Sequence, residues 1–187
     1  MKIAVAHLKS VSPYSQSRNY DREIPKLTKE GPQDYEDRTW RNRTHAGEDG
    51  KLFIPPMAFK NCLSDAAKYL SIQIPGKGKT TYTKHFDAGI VVVEPMVLPI
   101  TREKVIGEWF HVPSDGKRGG GRRVWRCFPV VHQWEGHQQF VVLDDTVTKD
   151  VFIDHLKQAG QFIGIGRFRP RNGGFYGRFD VLGVKWS

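Results

Sequence analysis

The sequence predicts an α+β fold, with core elements in the order β, α, β, β, α, β and an antiparallel sheet. Three observations carry this. A strand opens the chain at Lys2–Lys9. Two stretches, Met57 to Leu70 and Thr146 to Ala159, place apolar residues at helical spacing. Apolar, β-branched runs lie between and after those helices.

Taken in order, residues 10–50 follow the first strand as a long polar insertion, broken by Pro13, Pro25, Gly31, Pro32 and Gly47. Tyr14, Tyr20, Tyr35 and Trp40 are scattered through it. A structureless segment of that length is unusual in a compact domain unless it has a function, so it is expected to leave the core. The first helix follows over about Met57 to Leu70, and Pro56 before it suits a first turn. Phe59, Leu63, Ala66, Ala67 and Leu70 share its inner face. Residues 72–88 read as a loop. Gly89–Leu98 is almost wholly apolar and predicts a central strand.

Residues 99–124 form a second insertion, a thumb-like hairpin. Val105–Val112 is one arm and Val124–Val131 the return, which can continue after a break into Phe140–Leu143. The second helix is capped by Thr146 or Thr148 and carries Val151, Phe152, His155, Leu156 and Ala159 on one face. Gly160 is expected to stop it. A last strand covers Phe175–Lys185. This is the split-βαβ, ferredoxin-like arrangement, whose topology the RNA-recognition motif shares. A single domain over residues 1–187 is expected.

Lys plus Arg exceed Asp plus Glu by 29 to 20, a balance that favours a polyanionic partner and says nothing of fold. Two cysteines without a CxxC make neither a disulfide framework nor a structural zinc set. No signal peptide or membrane span is read, so a cytoplasmic location without membrane contact is expected. Gly76–Thr81 looks like the end of a phosphate-binding P-loop, but Gln73 stands where the first glycine belongs and the segment follows a helix. Gly164-Ile165-Gly166 lacks the third glycine of a dinucleotide fingerprint, because Arg169 occupies that place. His132 and His137 do not match a metalloprotease spacing, and no cofactor or metal is called for.

The densest chemical signal is Gly160–Gly177. Gly164, Gly166, Gly173, Gly174 and Gly177 alternate with Arg167, Arg169 and Arg171, with Phe168 and Tyr176, and Arg178 follows. Glycine admits close backbone approach, arginine forks onto phosphate and aromatic rings stack on bases. Further candidate contacts are Lys117, Arg118, Arg122 and Arg123 at the hairpin tip, Lys77 and Lys79 in the 72–88 loop, and Arg18, Arg41 and Arg43 in the first insertion. Arg126, Trp109, Phe110 and Trp125 lie on the hairpin arms, where charge can grip phosphates while an apolar arm sits between bases.

With these residues in place, the chain resembles the RAMP superfamily of CRISPR-associated proteins, most closely its backbone subunits that bind guide RNA. The resemblance rests on the glycine-rich loop after the second helix, on Ile54–Leu63 at the entry to the first, and on the placement of both insertions. It implies a non-catalytic subunit packed in several copies along single-stranded RNA, beside other CRISPR-type subunits. Three alternatives stay open: a RAMP-type endoribonuclease using His45, or His85 with Tyr82 and Lys84; a phage single-strand-binding protein; and a mimic of a CRISPR subunit.

Overall fold

A computed structural model of the protein describes residues 1–20, 23–116, 119 and 121–187. Its core is a four-stranded antiparallel sheet with two helices on one face. β1 (Lys2–Ser10) is central, with Ala4, Ala6 and Leu8 buried at the strand period of two. After β1 come a short β2 (Tyr14–Ser15), α1 (Pro32–Thr39), a 3-10 turn (Trp40–Arg43) and β3 (Lys51–Ile54).

The first core helix, α2 (Pro56–Leu70), has Pro56 in its first turn and ends at Ser71 in the left-handed region. Phe59, Cys62, Leu63, Ala66 and Ala67 are buried along one stripe. α3 (Thr83–Gly89) leads into β4 (Ile90–Val91), and β5 (Met96–Thr101) follows. β6 (Ile106–Pro113) and β7 (Arg123–Val131) make the hairpin. β8 (Glu135–Val142), α4 (Lys149–Gln158) and β9 (Phe179–Trp186) complete the chain. The Thr148 hydroxyl caps α4 by accepting from the Val151 N–H.

The sheet order is β4-β8-β1-β9, the ferredoxin-like order in which the first and third core strands lie side by side at the centre. Both helices pack against Phe140 of β8: Phe59 of α2 meets its ring edge-on at 6.3 Å and Phe152 of α4 at 5.2 Å. Phe59 also meets Trp134 and Phe179, so the core is largely aromatic at its centre.

Six expectations are corrected. Residues 89–98 are not one central strand: β4 is a two-residue edge strand, and β5 pairs instead with β3 in a separate sheet. Pro95 lies at the break between them. The first insertion does not leave the core, because Tyr14, Tyr20, Tyr35 and Trp40 are all buried. Residues 72–88 include α3, and β8 is a core strand rather than a continuation of the hairpin. Gly160 does not stop α4: the helical path widens into a π turn over Ala159–Ile163. Glycine is needed at 160 for a different reason, since a Cβ there would sit 2.1 Å from the Phe179 carbonyl oxygen. The last strand also starts later than expected, at Phe179.

Candidate nucleic-acid interface

The segment that leaves β1 fixes the glycine-rich loop against the hairpin. β2 pairs with the base of β7, Tyr14 opposite Val131. The loop docks on the other side of this segment: the Gly177 N–H donates to the Pro13 carbonyl at 2.7 Å and the Arg167 N–H to that of Ser15 at 2.9 Å. The glycines serve this self-packing. At Gly166 (φ +73°) a Cβ would lie 2.5 Å from the Ser15 oxygen and from the Tyr14 ring, and at Gly177 (φ +74°) it would lie 1.9 Å from the Ile165 oxygen. Sequence reasoning assigned these glycines to ligand approach, but the closest approach each one permits is to the chain itself. Gly164, Gly173 and Gly174 belong to the same folded loop.

Between this loop and the hairpin lies a cleft of about 840 Å³. Among the described residues, four arginines line it, Arg43, Arg126, Arg167 and Arg171, together with Phe128, Phe168, Val112 and Ser17 among others. The Arg167 guanidinium is clamped between two phenyl rings, its carbon 3.2 Å from the Phe128 ring centre and 3.8 Å from that of Phe168. Its Nη1 is buried without a hydrogen-bond partner. Burial, with Arg43 nearby, pushes its pKa down to about 9, and Glu36 pulls the other way. A cation held in this state gains from any anion that enters the cleft.

Glu36 organises the other two deep arginines. Its carboxylate is 1% exposed and accepts from Arg43 at 2.7 Å and from Arg126 at 2.9 Å. It also accepts the Cys127 N–H at 2.9 Å, while Arg43 Nε donates to the Cys127 carbonyl. One carboxylate thus serves two guanidiniums, so the cluster is already net positive, and Arg167 adds to the excess. Phe168 takes a left-handed backbone (φ 56°), and Tyr176 donates its hydroxyl to Glu108 at 2.8 Å, which helps push its pKa up to about 12 after the larger effect of burial.

Of the residues expected at the site, the structure gathers Arg43, Arg167, Phe168 and Arg171 at the cleft. Arg169 turns to Asp65 at 3.5 Å in a separate depression beside α2. Arg178 lines a different cleft, with Phe162 and Lys157, and donates to the Gln161 carbonyl. Arg18 pairs with Glu23, and Arg41 lies over the Trp40 ring. Lys77 and Lys79 are exposed in a loop closed by a Gln73–Thr81 bridge and do not line the cleft. Arg122 and Arg123 are exposed near the hairpin tip, whereas Lys117 and Arg118 lie outside the described residues. Sequence reasoning missed Glu36 and Phe128. Phe128 had a signal, because it alternates with Arg126 along β7; Glu36 had none.

Among the histidines, His85 Nδ1 lies 2.6 Å from Asp144 Oδ2, an arrangement that draws the Asp144 pKa down. Neither residue lines one of the clefts described above. Among the described residues no group of three or more His, Cys, Asp or Glu side chains could hold a metal ion, and no helix is long and apolar enough to cross a membrane.

No protein-family model matches the chain, and no curated protein matches it by sequence. Solved structures match it in fold. A chain in the cryo-EM structure of the Type III-B Cmr-beta bound to cognate target RNA superposes with a TM-score of 0.55 at 9% identity, over 99% of this chain and 60% of that one. The protein therefore spans less than two thirds of the length of that neighbour. Cmr6 from Pyrococcus furiosus has a TM-score of 0.49 at 15% identity, over 97% of this chain and 98% of its own. The architecture of this chain, its ferredoxin-like core included, is one shared with the Cmr-beta chain.

Proposed function

We propose that this protein binds single-stranded RNA through the arginine cleft between the hairpin and the glycine-rich loop, as a non-catalytic subunit of a CRISPR-type ribonucleoprotein. The observation that carries the reading is Arg167, a cation in excess over its local anions and rigidly clamped in a cleft shared with three further arginines. Guanidinium groups fixed in this way match the charge and geometry of backbone phosphates. The fold shared with a chain of an RNA-bound Type III-B complex supports the same reading. In it, several copies pack along one guide RNA beside other subunits, and the cleft follows the sugar–phosphate chain with little reading of base sequence.

The test is affinity for a uridine homo-oligonucleotide as a function of salt, for the wild type and for Arg126→Ala combined with Arg167→Ala. Each phosphate neutralised contributes about −0.7 to the log–log slope for a single strand. The double variant is expected to bind more weakly and to flatten the slope by about one such step or more. An unchanged slope removes the cleft from the function. Equal affinity for the matching thymidine DNA strand favours a general single-strand-binding protein instead.

A further inference from the structure

Residues directly opposite in an antiparallel pair share a face, so the register of the hairpin sorts its side chains into two sets. Glu108 with Phe128, Phe110 with Arg126 and Val112 with Val124 form the inner face. That face meets the glycine-rich loop, with the Phe110 and Phe168 ring centres 5.0 Å apart. Trp109 with Cys127 and His111 with Trp125 form the outer face, and Arg123 follows at its end. The two faces differ in chemistry as well as in direction.

The outer face is an aromatic strip. Trp109 is 41% and Trp125 55% exposed, and the His111 ring lies 5.2 Å from that of Trp125. The strip continues under Gly107, where a Cβ would stand 2.8 Å from the Trp40 ring. Arginines bracket it: Arg41 stacks on Trp40 at one end, and Arg123 is held at the other by donating to the His111 carbonyl. Two indoles left in water on a strand pair, between exposed cations, are costly to leave uncovered in a soluble hairpin. Flat rings flanked by guanidiniums match unpaired bases carried on a negative backbone.

Resting on the RNA-binding reading above, we infer that the outer face of the hairpin is a second, separate contact, a platform on which unpaired bases stack on Trp109 and Trp125. The inner cleft takes phosphates and the outer strip takes bases, so a bound strand meets both sides of the hairpin. The contribution of the strip depends on bases and little on salt, which sets it apart from the cleft.

Trp40 and Trp134 are buried and Trp186 is half-buried against the core, so quenching of tryptophan fluorescence reports chiefly on the two exposed indoles, Trp109 and Trp125. The full chain is titrated with a uridine homo-oligonucleotide and with an abasic strand of equal length, which keeps the phosphates and lacks the bases. Trp109→Ala with Trp125→Ala is expected to lose the quenching and to bind the uridine strand at least about tenfold more weakly. Its affinity for the abasic strand and its salt slope stay as in the wild type. Trp125→Ala alone, at the more exposed position, gives the same result in smaller measure should the double variant fold poorly. Wild-type affinity of the variants for the uridine strand overturns the inference, as does an equal loss for the abasic strand. Loss of self-association with RNA affinity intact assigns the strip to a protein interface and also overturns it. Should the wild type bind neither strand, the cleft reading fails with it. Binding that depends on Arg167 and not on the tryptophans isolates the failure to the strip.

Discussion

Glu36 does for β7 what a neighbouring strand would otherwise do. Beyond its short pairing with β2, the outer edge of β7 exposes the Cys127 N–H and carbonyl, and these are met by the side chains of Glu36 and Arg43. The same carboxylate holds Arg126 in place. Removing it strands two guanidiniums, one of them only 13% exposed, and leaves a buried backbone donor unpaired. Glu36→Ala is therefore expected to destabilise the protein by about 3 kcal/mol, near the lower end for a broken buried pair because Arg126 is partly solvated. Urea unfolding checks this, and a loss below roughly half that figure would show that water replaces the carboxylate. The sequence could not reveal Glu36. It sits in a polar, mixed-charge stretch 91 positions from Cys127, and nothing local distinguishes it from its acidic neighbours. Arg167 was legible because the residue types around it are themselves unusual.

At the scale of elements, what was legible followed local rules. α2 and α4 were placed by helical spacing and by Pro56 and Thr148, and the hairpin by two apolar arms around a glycine-rich tip. The failures lie where an element depends on partners distant in the chain. The run from Gly89 has the pattern of one strand, yet it divides between two sheets. The aromatic residues of the first insertion were the missed signal, since Tyr14, Tyr20, Tyr35 and Trp40 are too large to scatter through a segment that leaves the core. The glycine-rich stretch reads from the sequence as a surface for ligand approach, and the structure adds a role within the chain itself. Its glycines fold the loop onto itself and thereby set Arg167 against Phe128. Gly177→Ala tests this, because a methyl group would meet the Ile165 carbonyl at 1.9 Å with the backbone at φ +74°. Strain of about 1–3 kcal/mol, with the clash added, is expected to lower the melting temperature and to weaken RNA binding. A variant with the stability and affinity of the wild type would show that the loop shifts freely.

The whole molecule couples its core to pH through His155. The ring is buried, stacks on Phe86 with centres 4.3 Å apart and meets Tyr82 edge-on. Its Nδ1 donates to the Val151 carbonyl at 2.7 Å, while Nε2 is buried without a partner. Burial pushes its pKa below the usual 6.5, and His45 is pushed the same way by burial and by Arg18. Protonation is then easier in the unfolded chain than in the folded one. Stability from these groups is complete above about pH 6.5 and is lost as pH falls from there through their folded values. Urea midpoints measured from neutral pH down to about pH 5 should therefore decline. His155→Leu keeps an apolar group in the same space and should flatten that decline, whatever it does to stability at neutral pH. A slope as steep as that of the wild type would place the acid sensitivity elsewhere. Bound RNA acts through mass action on the folded state, so it should raise every midpoint. Titration of His155 lies in the helix–sheet core, away from the cleft, so the rise on adding RNA should be nearly the same in His155→Leu as in the wild type. A rise that vanished with His155 would instead tie this core histidine to the binding surface.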